Sequence, residues 1–524
     1  MESIDLNDGK IDGLTGLIKD SFRVRPNQNP VYVDVSGNLD RVSAPQHQIV
    51  FGRRGSGKSC LLVHFHRVIA PKKGILTVYI DADELKRLGY PDVLIRLLLR
   101  ITEDLAKATQ GRLARLLGLK RSPLWKQVDK LRTLLDSAEE SDVTHQVQQD
   151  ESVGAESTIK APGVAGGLKA SNRRTEGTIS SFKAKKLEAL ERNFPDFKQV
   201  LQSAISRSRF DMGAVIVDDF YLFDRTIQPD VLDYLHRLLR GTDLYLKVGT
   251  VRHRTTLQRS NGQTIGIDLN EDVEEISLDR TFEHVDSTRE FLELMLNSMG
   301  REVGLENSSM FMSQDGQLAL TLASGGVPRD YLNTLVEAVP VARNLGQQRV
   351  TPRTIYKGAG RLSYRTKLAN LRDDAGSDAK AIELVFADLA RFCLKEERKT
   401  GFLISQEEVQ THPDEHEIIQ QLMDFKLVHI IEPDTSAASG RRGRFEAYTL
   451  DFSLFMEPRL RGIKHIEFWK TDEQRRREGV REAPHYSLER AQAAASGNAT
   501  EASEGVLEEL EREVGVEESS DTLF

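Results

Sequence analysis

Eight consecutive residues, Gly52-Arg53-Arg54-Gly55-Ser56-Gly57-Lys58-Ser59, meet the spacing G-x-x-x-x-G-K-[ST] at every fixed position. The chemistry served by that spacing is capture of a phosphate chain. Glycines allow successive backbone N–H groups to turn inward around phosphate oxygens, and the helix that starts there adds partial positive charge. Lys58 is placed to reach the β- and γ-phosphates of a nucleotide, and the Ser59 hydroxyl to ligate Mg²⁺. Cys60 follows directly and reads as a packing residue beside the loop. A second constellation, Val215-Ile216-Val217-Asp218-Asp219, is an apolar run ending in two carboxylates. Asp218 is expected to hold Mg²⁺ through water, and Asp219 to orient or deprotonate an attacking water.

These groups are useful only if strands and helices bring them together. HQIVF (47–51) reads as a buried strand leading into the glycine loop, and SCLLVHFHRVI as the helix after it. Ile75 to Asp81, MGAVIVDDF (212–220), LYLKVGT (244–250) and DVEEISL (272–278) supply further strands, with an amphipathic helix over 84–108. Strands alternating with helices predict an α/β fold with a parallel sheet. Thr250 ends the strand after the acidic one, where it is suited to sensing a γ-phosphate. From Phe282 to about 372 only helical spacing occurs. Within it Gly325-Gly326-Val327-Pro328-Arg329 sets an arginine at a helix start, since proline in the first turn costs no hydrogen bond.

Domain boundaries follow from changes in composition. Residues 1–47 read as an N-terminal approach segment, 48–278 as the α/β core, 279–372 as a helical lid, 376–462 as a compact C-terminal domain and 463–524 as an acidic, disordered tail. Residues 111–180 are too polar and too long for an ordinary connection and read as an insertion, a candidate surface for a protein partner. The C-terminal order of helix, helix, helix, strand, basic loop, strand is that of a winged helix. Its loop carries Arg441, Arg442 and Arg444, which could grip DNA phosphates, whereas the helix before it opens with Asp414, Glu415 and Glu417.

Composition bounds the class. At 524 residues, 39% hydrophobic and 29% charged, the chain has material for several buried cores, at roughly 150 residues each. No run approaches the ~18 to 20 apolar residues of a membrane span, and the polar start MESIDLNDGK has no secretory pattern, so a cytoplasmic location and no membrane partner are expected. Two cysteines exclude a disulfide framework, and the histidines lack metal-ligand spacing. Of 72 basic and 80 acidic residues, 6 and 14 lie from Thr471 onward, so the remaining 66 and 66 cancel. The overall charge of -8 therefore says nothing against nucleic acid.

Taken together, the motifs at 52–59 and 215–219, Thr250 and the G-x-P-R form at Gly326 to Arg329 resemble the AAA+ P-loop ATPases. The winged-helix order makes the chain similar to their origin-recognition/initiator-like clade over about 45–110 and 183–460. The resemblance implies ATP and Mg²⁺ as ligands and ATP hydrolysis, with Thr250 as sensor 1 and Arg329 as sensor 2. It also implies a homo-oligomer in which an arginine of one subunit completes the site of the next. Arg252, Arg254, Arg259 and Arg280 are candidates, and the sequence does not choose among them. Many relatives carry Glu where Asp219 stands, so hydrolysis is expected to be slow. The alternative is a STAND-like signalling or defence ATPase that acts through protein contacts without DNA.

Overall fold

Strands of a parallel sheet are covered on both faces, so both sets of alternating side chains must be apolar. The computed structural model describes residues 4–22, 27, 30, 32–110, 122–136, 167–260, 262–374, 379–438, 441–454, 462–471, 473 and 476–497. Its core is a five-stranded parallel sheet built from β1 (Gln48–Phe51), β2 (Ile75–Asp81), β3 (Met212–Asp218), β4 (Leu244–Thr250) and, after the hairpin of β5 (Gln258–Ser260) and β6 (Thr264–Gly266), β7 (Glu274–Ser277). The order across the sheet is β2-β3-β4-β1-β7. Ile49, Phe51, Val215, Val217, Leu246 and Val248 join one buried cluster with helices Asp92–Thr109 and Gln228–Leu239. Val50, Ala214 and Ile216 face the other way, onto Leu61, Leu62 and Phe65 of the helical stretch after the glycine loop.

A helical unit follows, with Val285–Glu302, Gln314–Ala323, Pro328–Asn344 and Pro352–Asp374. The N-terminal segment belongs to it. Helix Gly9–Ser21, capped by the Asp8 side chain, buries Ile11, Leu14 and Ile18 against Leu292, Leu296 and Leu332. Arg343 binds its start through Asp12 at 2.7 Å and the Leu6 carbonyl at 2.6 Å. The apolar spacing of these residues, rather than a linker, is what 1–47 contributes.

The C-terminal unit begins with helix Ala379–Arg391, then β8 (Gly401–Ser405), helices Gln406–Thr411 and Pro413–Asp424, β9 (Val428–Thr435) and β10 (Phe445–Leu450). The three strands form an antiparallel sheet in the order β8-β10-β9. The expected end at 462 is too early. Ile466, Phe468, Val480, Tyr486, Leu488 and Ala491 are buried in the same core as β8 and β10, and helix Leu488–Ala495 closes it. The Leu403 and Tyr486 amides bond to the Pro484 and Leu403 carbonyls, tying this return to β8. Arg490 adds ion pairs to Asp388 at 2.6 Å and Glu396 at 2.8 Å. Charge-rich composition hid a spaced set of apolar anchors; residues 498–524 lie outside the described residues.

Part of the 111–180 insertion is also structural. Residues 123–136 form a helix that buries Leu124, Trp125, Val128 and Leu131 in the core cluster, and helix Gly167–Ser206 begins well before the expected Lys183. Residues 111–121 and 137–166 lie outside the described residues. Among the described residues no helix is long and apolar enough to cross a membrane.

The C-terminal unit does not hang free. Phe282, at the entrance to the helical unit, packs on Phe468 with centroids 5.1 Å apart, and Arg477 donates to the Phe282 and Ile431 carbonyls at 3.0 and 2.6 Å. Removing the Phe468 ring should therefore loosen both units. Phe468→Ala is expected to cost about 3 to 5 kcal/mol, read as a lower urea midpoint for the C-terminal transition with increased proteolysis near 462–497.

Candidate active site

Parallel strands end at one edge of the sheet, so loops leaving β1, β3 and β4 are neighbours there. β1 pairs with β4 so that Phe51 lies opposite Thr250, and β2 pairs with β3 so that Asp81 lies opposite Asp218. Both motifs read from the sequence meet on this edge.

The glycine loop is held tightly. Gly55 and Gly57 adopt φ of 91° and 100°, a region glycine enters without steric cost. A Cβ on Gly52 would fall 2.2 Å from Ser56 Oγ, so a side chain there would push Ser56 aside where the loop closes on itself. Arg53 is not a ligand-facing residue. Only 4% exposed, it bonds through its amide to Asp279 Oδ1 at 2.7 Å and through Nη2 to the Arg280 carbonyl at 2.6 Å. It fastens the loop to the start of the helical unit. Lys58 Nζ donates to the Gly52 carbonyl at 2.7 Å and the Arg53 carbonyl at 3.3 Å, running along the loop's inner side. Burial lowers its pKa, opposed first by the charge of Asp219 and then by that of Asp218.

Asp218 is 2% exposed and fully engaged. Its Oδ2 accepts from Tyr79 Oη at 2.7 Å, its Oδ1 from the Asp219 amide at 2.9 Å, and Ser59 adds a side-chain hydrogen bond. Burial raises its pKa, and these bonds together with Lys58 work against that. The neighbouring strand must make room: a Cβ on Gly249 would sit 2.5 Å from Asp218 Oδ1. Asp219 turns out of the strand in the left-handed region at φ 51°, which aspartate tolerates better than most residues. Burial, then the charge of Asp218, pushes its pKa up to about 6, against the pull of Lys58, Arg329 and Arg54.

Arg329 arrives from the helical unit. Pro328 opens helix Pro328–Asn344, and Tyr331, Leu335 and Val339 repeat along its buried face. The Arg329 amide donates to the Gly55 carbonyl at 3.2 Å, and Arg329 Nη2 donates to the Phe22 carbonyl at 3.4 Å. The helix start is thus bonded directly to the glycine loop.

Between these groups lies a cavity of about 780 Å³. Arg54, Gly55, Ser56, Gly57, Lys58, Ser59, Cys60, Asp219 and Arg329 are among the residues that line it. Tyr32, Val33, Phe291, Met295 and Leu332 add apolar lining, of a kind that suits a flat heterocycle. Cys60 forms part of the boundary, and burial pushes its thiol up to about 12, so it is a packing group rather than a nucleophile.

Thr250 stands apart. It is fully buried, its hydroxyl shares a 2.6 Å hydrogen bond with Thr255 Oγ1, and it does not line this cavity. Its backbone carbonyl instead accepts from the Gly52 amide at 3.2 Å, so it supports the root of the loop. Arg441, Arg442 and Arg444 are exposed on the loop between β9 and β10 and belong to a different surface; Arg444 is paired with Asp434. Tyr79, Gly249, Asp279 and Tyr32 were not singled out in the sequence. Tyr79 reaches Asp218 because β2 runs beside β3, a strand order that the sequence does not state.

The donor set fits a hard divalent cation. Ser59 and Asp218 present oxygens side by side, and Mg²⁺ commonly takes one or two protein oxygens with phosphates and water completing its shell. Among the described residues no group of three or more His, Cys, Asp or Glu side chains could hold a metal by itself.

No protein-family model matches the chain, and no curated protein matches it. Solved structures do. The ORC2 protein of Aeropyrum pernix is 11% identical over 83% of this chain and 94% of its own, with a TM-score of 0.39. The Walker-type ATPase PABY2304 of Pyrococcus abyssi is 13% identical over 81% and 96%, with a TM-score of 0.38. Drosophila ORC bound to DNA is 10% identical over 84% and 89%, with a TM-score of 0.35.

The close approach at Gly249 lets the expected metal role of Asp218 be tested. In Gly249→Ala the new methyl group displaces Asp218, and Mg²⁺-dependent ATP binding should weaken by about tenfold, or ~1.4 kcal/mol. Calorimetric titration with Mg²⁺ and with chelator checks this; the chelator value should change little.

Proposed function

We propose that the chain is an AAA+ ATPase of the origin-recognition/initiator-like type, a switch that binds ATP with Mg²⁺ and hydrolyses it between the α/β core and the helical lid. One observation carries the reading: Lys58, Ser59, Asp219 and Arg329, drawn from three separated stretches of sequence, line a single cavity, with Asp218 directly behind Ser59. The phosphate chain would exchange for the loop carbonyls now accepting from Lys58. Ser59 and Asp218 would hold Mg²⁺, which when bound neutralises charge on the β- and γ-phosphates. Asp219 in its ionised form takes a proton from water as the water oxygen bonds to the γ-phosphorus. The bond to the β–γ bridging oxygen breaks, leaving ADP and phosphate.

A carboxyl group acts as a base only when ionised, so the sign of the pH dependence is fixed. Because kcat/KM reports the free protein, it should fall about tenfold per pH unit below about 6, where Asp219 becomes protonated. Lys58→Ala should abolish nucleotide binding, and unchanged ATP affinity would refute the assignment. Asp219→Asn should retain ATP and lose turnover; hydrolysis at the wild-type rate would remove its role as base.

The nucleotide site is mechanically tied to the C-terminal unit, which we read as a winged helix. Arg53 Nη2 lies 3.4 Å from the Gly325 carbonyl, and a Cβ on Gly325 would meet His429 of β9 at 2.2 Å. His429 in turn bonds Asp451 at 2.7 Å. Lid angle, set by nucleotide through Arg329, would thereby set the pose of the winged helix. DNA is the partner assigned to it, through the β9–β10 loop. The acidic helix Pro413–Asp424 faces the core instead, with Asp424 accepting from the His253 amide at 3.1 Å and Glu417 lying 3.3 Å from the His253 ring. Replacing Arg441, Arg442 and Arg444 by Ala should lower the slope of log affinity against log salt by about 2 to 3. A slope unchanged by these substitutions, with protein rather than DNA retained, would favour the signalling alternative.

A further inference from the structure

A carboxylate turns easily about its last bond unless each of its oxygens is held. Asp218 is held at both. The Asp219 amide, one residue along the same chain, donates to Oδ1 at 2.9 Å, and Tyr79 Oη, from the neighbouring strand, donates to Oδ2 at 2.7 Å. An ionised carboxylate has no hydrogen to give, so the phenol is the donor in the second bond. Ser59 also bonds to this carboxylate and favours its charged form, so the hydroxyl hydrogen goes to Asp218 and the lone pairs of Ser59 stay available.

Register decides that a long side chain is needed at position 79. β2 sets Tyr79 opposite Ile216 and Asp81 opposite Asp218, so Tyr79 reaches its acceptor diagonally, two residues along the partner strand. A serine or threonine there would fall short, whereas a phenol spans the gap. The ring is braced where it stands. It packs against the buried cluster that contains Leu61, Leu62 and Ile216, and it lies 5.7 Å from the ring of His66, in the helical stretch after the glycine loop. His66 Nδ1 in turn lies 2.7 Å from Thr77 Oγ1, back on β2. The stretch that begins with Lys58 and Ser59 therefore also steadies the hydroxyl that holds Asp218. Tyr79 does not line the nucleotide cavity, so it acts on the site only through that carboxylate.

We propose that Tyr79 is a positioning residue for the metal site: its hydroxyl fixes the Asp218 carboxylate in the orientation that takes the Ser59 hydrogen and leaves the Ser59 oxygen turned to Mg²⁺. This rests on the ATPase reading above. Without the Tyr79 hydroxyl, Asp218 keeps only donors on its own strand and on the glycine loop, and one buried oxygen loses its partner. The carboxylate can then turn, and the two oxygens offered to the cation no longer keep a fixed geometry. Nucleotide contacts made by the glycine loop and Lys58 are untouched by that loss.

The test is binding of a fluorescent ATP analogue to the full chain at increasing Mg²⁺, repeated with Mn²⁺ and with chelator, alongside steady-state hydrolysis. Tyr79→Phe keeps the ring and removes only the hydroxyl. It should raise the half-saturating Mg²⁺ concentration about 10- to 100-fold and leave analogue affinity in chelator unchanged. Mn²⁺ should restore more of the lost binding and turnover than added Mg²⁺ does, since Mg²⁺ demands near-ideal octahedral geometry. His66→Leu, which keeps the hydroxyl and removes the neighbour of its ring, should give a smaller rise; it carries the test if Tyr79→Phe does not fold, and no rise there then overturns the proposal. A half-saturating Mg²⁺ concentration in Tyr79→Phe equal to that of the wild type overturns the proposal and leaves nucleotide binding standing. So does an equal loss of affinity in chelator and in Mg²⁺, which marks a loosened loop instead. A wild type that binds the analogue no better with Mg²⁺ than with chelator overturns both.

Discussion

A carboxylate with almost no access to solvent is the constraint that organises this molecule. Burying an ion of that size costs several kcal/mol unless donors replace its water, and Asp218 receives them from Tyr79, the Asp219 amide and Ser59. Each donor fixes a separate piece of structure. Tyr79 requires β2 to run in register beside β3, Ser59 requires the glycine loop to end where it does, and the Asp219 amide requires the chain to turn sharply out of β3. Gly249 leaves the space that the Asp218 carboxylate itself occupies. The sheet order places β4 between the acidic strand and the loop-bearing strand, so these demands converge on one edge.

From that edge contacts run outward without a break. Arg53 reaches Asp279 and the Gly325 carbonyl, Gly325 touches His429, and His429 shares Asp451 with Lys367 at 2.7 Å. Asp451 is wholly buried, which acts to raise its pKa, but the charge of Lys367 and the hydrogen bond with His429 hold its carboxyl below the usual range. Such a pair contributes little over an apolar substitute, yet removing one partner costs about 3 to 5 kcal/mol because a buried charge is left alone. The network therefore acts as a specifier of domain pose more than as a source of stability.

How far the sequence reveals this depends on the range of the signal. The strands 75–81 and 244–250 were legible to the residue, because each is a short, mostly apolar run that opens directly after a turn residue, Gly74 or Asp243. The glycine loop, the paired acids and the arginine after Gly-Gly-x-Pro were legible because each is a local pattern. The partner of Thr250 was not legible, since nothing in a strand sequence reports that Thr255 would share its hydroxyl. The return through Ile466, Phe468 and Tyr486 was masked by intervening charge, as apolar anchors spaced along an irregular segment carry no period. The hairpin of β5 and β6 had an Asn-Gly dipeptide in the sequence to announce it, overshadowed by the arginines alongside.

The docking of helix Pro413–Asp424 against residues 252–254 has a quantitative consequence for any ligand of that helix. His253 meets Asp424 and Glu417 there, and Lys426, just beyond, holds Asp330 at 2.9 Å. A ligand needing the same face must first pull the helix away, so its observed affinity is diluted by the fraction of molecules caught undocked. If holding the helix down is worth about 3 kcal/mol, that dilution is roughly 150-fold, so the chain acts as its own competitor for that face.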